Sequence, residues 1–233
     1  MPTPIARLQT LRRTKAFGGL SDTDLNVVAC CFKQVGYERG DVLFNKGDPA
    51  CYSLVVHSGR VAVSVLAENG RSALIDVIGP SRLIGSVAVF SETPSNRPFH
   101  VTALTETVAL RVERDDLRDL CQRLPSLAMG MLSHLAAAIC AMSEDIEGLV
   151  FMDTPTRLAR CLVQFGEMGG RSAPEGVLLE DIRSQEQLGQ MLALSREVVN
   201  KALKSLEHTG IITVRRGRIY VVDMAALKSM TMV

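Results

Sequence analysis

The chain has 233 residues, 47% apolar and 22% charged, with 26 Lys plus Arg against 25 Asp plus Glu. That composition excludes a disordered polymer and requires a packed core, in one large domain or two small ones. A net charge of +1 also excludes a protein whose whole surface is a polyanion binder. The balance is uneven, however. From Thr154 onward 11 basic side chains face 8 acidic ones, a net of +3, leaving 15 against 17, a net of −2, for the rest. The basic excess points to a polyanion partner at the C-terminal end.

The N-terminus MPTPIARLQTLRR has no apolar core of the signal-peptide kind. The longest apolar run, LAMGMLSHLAAAICAM, is interrupted by Ser133 and His134 and followed by acids. No membrane span is expected from it, and a cytoplasmic protein is the expectation. The six cysteines, at 30, 31, 51, 121, 140 and 161, include no CxxC pair. Neither a zinc site nor a disulfide framework is expected, and the thiols read as reduced and mostly buried.

In chain order, SDTD at Ser21–Asp24 is a capping box that opens a helix. From about Val35 to Val112 come short apolar alternations cut by glycines, as in YSLVVHSGRVAVSVL and FHVTALTETVALRV. Asn69-Gly70 between two such runs signals a hairpin. Strands at this spacing predict a compact barrel or jelly roll. Within it, LIGSVAVFSETPSNRPF (Leu83–Phe99) carries Gly85, then a short helix-compatible run through Ser86 and Val87, then Arg97 and Pro98. A glycine, free amides and a guanidinium are what holds a phosphate.

One long helix is predicted from about Pro125 to Phe151. Leu132, Leu135, Ile139, Met142, Ile146 and Leu149 are spaced 3, 4, 3, 4, 3, a heptad seam. Packing on its own barrel would explain part of the pattern. The length of the seam and the small Ala136, Ala137, Ala138 and Ala141 on the other faces favour a parallel homodimer. A new helix then starts at Asp153 or Thr154, with Pro155 in its first turn, and GEMGGRSAPEG after it reads as a flexible loop.

In SQEQLGQMLALSREVVNKALKSLEHTGIITVRRGRIYVV, Ser184 and Gln187 form a capping box, so a helix opens at Ser184–Gln185, with Leu188, Met191 and Leu192 on its inner face. After a turn at Ala193-Leu194, Ser195 caps a second helix. Its apolar side is Val198, Val199, Ala202, Leu203 and Leu206. Its polar side is Arg196, Glu197, Asn200, Lys201 and Lys204. Gly210 ends it. IITV and IYVV then flank a basic tip bearing Arg215, Arg216 and Arg218. Helix, turn, helix, hairpin is a winged helix-turn-helix, whose second helix enters the major groove. Arg196 suits guanine, Glu197 suits the cytosine amine, and Lys201 reaches a further acceptor. The wing arginines suit phosphates, which position without specifying sequence. A merely solvated charged face would explain the polar side of the second helix, but not the capped pair and the basic hairpin together.

Barrel, long helix and winged head, in this order over nearly the whole chain, resemble the CRP/FNR regulators of bacteria. SREVVNKALKSLE (Ser195–Glu207) is the most specific stretch, and GQML (Gly189–Leu192) is similar to the first helix of the family's pair. The resemblance implies an α+β fold: a cyclic-nucleotide-binding-like β-roll over 1–124, a dimerisation helix over 125–152 and a winged helix-turn-helix over 153–233. It implies double-stranded DNA and a second copy of the chain as partners, a TGTGA-like half-site, and RNA polymerase. Leu83–Phe99 resembles the family's phosphate-binding cassette, with Gly85 at the phosphate-approaching glycine and Arg97 at the phosphate arginine. Ser86 stands where the family has a ribose-binding glutamate. Pro98 replaces a hydroxyl residue and removes a donor. Met142 replaces a threonine at the base, while Ser143 matches the serine beside it. Two alternatives stay open: a pocket without ligand whose Arg97 pairs with an acid, or a cyclic nucleotide or other small anionic effector. Cyclic AMP stands behind both.

The iron–sulfur mechanism of oxygen-sensing members is not expected, because no cysteine precedes Cys30. His57, His100, His134 and His208 are scattered, so no haem or other metal is expected either. No P-loop or nucleophile–base pair is legible, and an enzyme is not expected. A regulatory ligand-binding module that controls a partner enzyme is the alternative to a DNA-binding regulator.

Overall fold

Local capping chemistry sets the ends of several helices. The computed structural model describes residues 3–66, 72–90, 96–180, 182, 185–192 and 194–231. Helix α1 (Pro4–Arg13) is capped by Thr3, and α2 (Asp22–Cys30) by Ser21, whose hydroxyl accepts from the Asp24 amide at 3.1 Å. The strands β1 (Lys33–Tyr37), β2 (Val42–Phe44), β3 (Tyr52–Ser58), β4 (Val61–Leu66), β5 (Ser72–Ile78) and β6 (Leu83–Ile84) follow. Then come the short α3 (Ser86–Val89), β7 (His100–Ala103), β8 (Thr107–Glu113) and α4 (Arg114–Arg123). The strands form two sheets, ordered β1-β8-β3-β6 and β2-β7-β4-β5, as the alternating pattern predicts. The predicted Asn69-Gly70 turn lies outside the described residues.

The β1-β8-β3-β6 sheet has two apolar faces. On the side shared with β2 and β7, Leu43, Leu54, Val56, Val61, Val101 and Ala109 fill the roll. On the other, Val55, Leu110 and Val112 pack against Leu11, Phe17, Leu25, Phe32, Leu117 and Leu127. Phe17 and Phe32 meet edge to face at 5.6 Å. The helices around the roll are therefore part of its core.

Helix α5 (Pro125–Phe151) starts at proline, where the missing N–H costs nothing. Its stretch Pro125–Ser143 is long and apolar enough to cross a bilayer by length and composition, which corrects the expectation from sequence. Ser133 and His134 are too few to break a 19-residue run rich in Leu, Ala and Met.

Helix α6 (Thr154–Gly169) is capped by Asp153, which accepts from the Thr156 amide at 2.9 Å. The loop expected after it is instead largely a hairpin, β9 (Arg171–Ala173) and β10 (Gly176–Leu178), with Gly176 at φ +125°. Pro174 and Gly176 serve the tight turn, while Gly166 and Gly169 belong to α6 and Gly170 is its C-cap. Then come α7 (Gln185–Leu192), α8 (Arg196–His208), β11 (Ile212–Arg215), β12 (Arg218–Val221) and α9 (Met224–Ser229). These last strands form a sheet ordered β11-β12-β10-β9. The chain divides into two compact units, Met1–Val63 with Ile78–Met142, and Ser64–Val77 with Ser143–Val233.

The thiols also depart from expectation. Cys30, Cys51 and Cys140 are exposed, Cys31 and Cys121 half-buried, and only Cys161 is buried. Average burial for the residue type did not carry over, because Cys30 and Cys140 sit on outward helix faces. Burial pushes the Cys121 thiol to about 11 and Cys161 to about 12, so neither is an activated thiolate.

Candidate functional site

The helix pair α7–α8 is built around a glycine. A Cβ on Gly189 would lie 2.8 Å from the Leu194 carbonyl, and the Leu194 amide donates to Gly189 O at 2.9 Å. Only glycine lets the turn fold back this closely. Leu188 is fully buried, and Met191 and Leu192 are half-buried. Arg157 on α6 donates to Leu192 O at 2.8 Å and fixes the end of α7. Ser184, Ala193 and the side chain of Gln187 lie outside the described residues; Gln185 opens α7.

Ser195 caps α8, its hydroxyl accepting from the Val198 amide at 3.3 Å. Val199, Ala202, Leu203 and Leu206 are buried, while Arg196, Glu197, Lys201 and Lys204 are exposed on the opposite face and Asn200 is half-buried. Val198, expected on the apolar side, is 40% exposed. It lies at the edge of the stripe, one position before the inward-facing Val199. The free first turn therefore presents Arg196, Glu197, Val198 and, one turn on, Lys201.

At the wing, Arg216 (φ 52°) and Gly217 (φ 75°) make the two-residue left-handed turn of a tight hairpin. Arg216 and Arg218 are exposed. Arg215 is shared: its Nη1 lies 3.5 Å from Glu175 on the β9–β10 turn. The Val214 amide donates to Glu207 Oε1 at 2.9 Å and ties the wing to the end of α8. Sequence reasoning missed Glu175 and Glu207, since their roles depend on a hairpin it read as a loop and on a register it could not derive.

The Leu83–Phe99 stretch forms a cradle as far as it is described. The pairing of β6 with β3 places Gly85 just past the end of β6, with φ +77° as the N-cap of α3. A Cβ there would lie 2.4 Å from Arg97 Nη1. Arg97 is 2% exposed. Its Nη1 donates to Gly85 O at 3.0 Å and its Nη2 to Tyr52 O. Its guanidinium lies over the Phe44 ring at 4.2 Å and the Tyr52 ring at 4.7 Å. Nε is buried without a partner, and burial pushes the Arg97 pKa below its ordinary value. Among the described residues its bonds go to main-chain carbonyls rather than to the acid that a ligand-free pocket would supply. A desolvated cation held this way favours an anion.

Ser86 is 2% exposed and lies 3.3 Å from His134 Nε2. Burial first, then the cations of Arg82 and Lys15, hold the His134 imidazole below its ordinary pKa. This pairing has no local signal, because a lone histidine on a helix does not indicate its partner. Val87 and Pro98 are exposed, as are Met142 and Ser143 on α5.

On α5, Met129 is 62% exposed, Leu132 59%, Ile139 65% and Met142 54%. Leu135 is half-buried, so the exposed stripe turns slightly from the predicted seam and takes in Met129. The side chains of Ile146 and Leu149 lie outside the described residues.

A β-roll, a long helix and a winged helix-turn-helix, in this chain order, define a DNA-binding protein with a separate N-terminal domain. Comparison with known proteins is consistent with each part: residues 34–124 match the cyclic nucleotide-binding domain family, and residues 156–230 the Crp-like helix-turn-helix domain family. The chain is 28% identical over 219 residues, 94% of its length and 97% of the relative's, to a CRP-like cAMP-activated global transcriptional regulator of Mycobacterium tuberculosis. It is 27% identical over 178 residues, 76% of its length and 83% of the relative's, to the cAMP-activated global transcriptional regulator CRP of Salmonella typhimurium. Its fold is similar to that of the c-di-GMP responsive global regulator CLP of Xanthomonas campestris, with a TM-score of 0.73 and 20% identity, covering 86% of this chain and 99% of that one. The chain belongs to the CRP/FNR family and is a sequence-specific DNA-binding transcription regulator.

Proposed function

We propose that the protein acts in the cytoplasm as a homodimer that reads an inverted-repeat promoter site through α8 and contacts RNA polymerase. The division of labour is an effector domain over 1–124, a dimerisation helix over 125–152 and a DNA-binding domain over 153–233. The observation that carries this reading is the Ser195-capped helix, with Arg196, Glu197 and Lys201 free on one face and four apolar residues buried on the other. The exposed apolar stripe of α5 supports the dimer, because such a stripe on one chain is a surface that association would cover. The buried Arg97 against Gly85 supports a small anionic effector.

Cyclic AMP itself is a poor fit. The buried group beside Gly85 is a serine already in contact with His134, not a carboxylate free for a ribose hydroxyl. Losing such a partner costs about 1–3 kcal/mol, or roughly one to two decades in affinity. A gel shift on the protein's own promoter, with and without cyclic AMP, tests the reading. A retarded complex is expected without the nucleotide. A complex seen only with it would overturn the reading of cyclic AMP as a poor fit, and none under either condition would overturn the promoter site.

A further inference from the structure

Among the described residues, the cassette and the long helix meet at a polar contact, and that contact continues the anion cradle. Arg97 Nη1 bonds Gly85 O at 3.0 Å, and the next residue, Ser86, lies 3.3 Å from His134 Nε2. Guanidinium, glycine, serine and imidazole thus form one run of neighbours. Arg97 and Ser86 are each 2% exposed, so half of that run is shielded from water. The charged groups that act on His134 among the described residues are cations: Arg82, from the turn between β5 and β6, and Lys15, between α1 and α2. Arg97 lies on the other side of Gly85, bonded to its carbonyl, so the run of contacts begins at a buried guanidinium. An anion is the ligand such surroundings favour.

We propose that His134 is a second effector contact: an anion held at Gly85 and Arg97 is also met by the His134 ring, which takes up a proton as it binds. This rests on the reading of Gly85 and Arg97 as an anion cradle. The ligand class is one with a phosphate-type group, whose several oxygens accept from more than one donor at once. Its negative charge offsets the field of Arg82 and Lys15. The protonated ring then offers N–H donors on both sides, and the Ser86 hydroxyl turns to accept or to serve the ligand. Because His134 belongs to α5, a ligand engaged there touches the helix that carries Leu132 and Ile139.

The test uses the full-length protein with cyclic AMP as the probe, at up to about 10 mM, to saturate an affinity weakened by one to two decades. The Gly85 amide, followed by NMR, reports occupancy of the cradle. Calorimetry in two buffers of different ionisation enthalpy reports proton uptake. Wild type should take up protons on binding, and its affinity should rise as pH falls from about 8 to about 6, by at most tenfold per unit for one proton. His134→Gln keeps a side chain that hydrogen-bonds but does not titrate. It should bind, with proton uptake and pH slope both lost. If the Gly85 amide moves without proton uptake, or if His134→Gln takes up protons like wild type, the proposal is overturned and the cradle stands. If the Gly85 amide does not move in wild type, the cradle reading fails and the proposal falls with it.

Discussion

At the scale of single residues, two groups of arginines are placed for different tasks. Arg196 is exposed on the first turn of α8, where a guanidinium can grip a guanine edge, whereas Arg216 sits at the tip of the wing. Arg196→Ala should therefore cost about 1–3 kcal/mol on the preferred site and flatten one guanine preference. Arg216→Ala should weaken all duplexes alike and lower the salt slope. Anisotropy titrations on matched and mismatched duplexes separate the two, and equal loss of specificity in both variants would contradict the assignment. Gly85 is required by its backbone conformation. At φ +77°, with Arg97 Nη1 in the way, Gly85→Ala should destabilise the protein by about 1–2 kcal/mol in denaturant melts and displace the guanidinium. His134 adds a pH dependence whose sign is fixed by its environment. Its folded pKa lies below the unfolded one, so protonation favours unfolding. Its contribution to stability is present above the unfolded pKa, about 6.5, and is lost as pH falls through the lowered folded value. His134→Gln should flatten the acid side of the stability profile, and an unchanged profile would show that the ring is free to charge.

At the scale of elements, the heptad periodicity of α5 was visible in the sequence, but the face it presents was not fully fixed by it. Leu132, Ile139 and Met142 are exposed as the seam requires, while Leu135 turns partly inward and Met129 joins the exposed stripe. Periodicity gives a stripe's spacing, whereas its rotation depends on what already covers one side. Here Leu127 and Met131 are buried in the core of the roll and set that rotation. Ile139→Asp places a charge in the centre of the stripe on both chains, where burial is strongly unfavourable. Sedimentation should then show monomer, and a variant still dimeric at micromolar concentration would move the interface elsewhere. The β9–β10 hairpin was read as a loop for a related reason. Three-residue strands carry too little alternation to register, and β10 is held by pairing with β12, a strand distant in sequence, with β9 pairing only to β10. The caps at Ser21, Asp153 and Ser195 were legible because each involves only residues within one turn.

For the whole molecule, the order of roll, long helix and winged head was legible, since each part has its own local signature and the resemblance ties them together. The partners of Arg97 and Ser86 were not, because they come from segments far apart in the chain. Those partners bear on how the molecule is controlled. With Ser86 against His134 rather than free for a ribose, and with an apolar Met142 on the outer face of α5, operator binding should not depend on cyclic AMP. A ligand moves such an equilibrium only by its differential affinity for the two states. The most direct test of the account is selection from a pool of randomised duplexes by the full-length protein, with no cyclic nucleotide added. The account predicts recovery of a two-fold symmetric site whose half-sites lie about one helical turn apart, with a guanine in each whose preference disappears in Arg196→Ala. Recovery of no enriched sequence, or of one lacking two-fold symmetry, would contradict it.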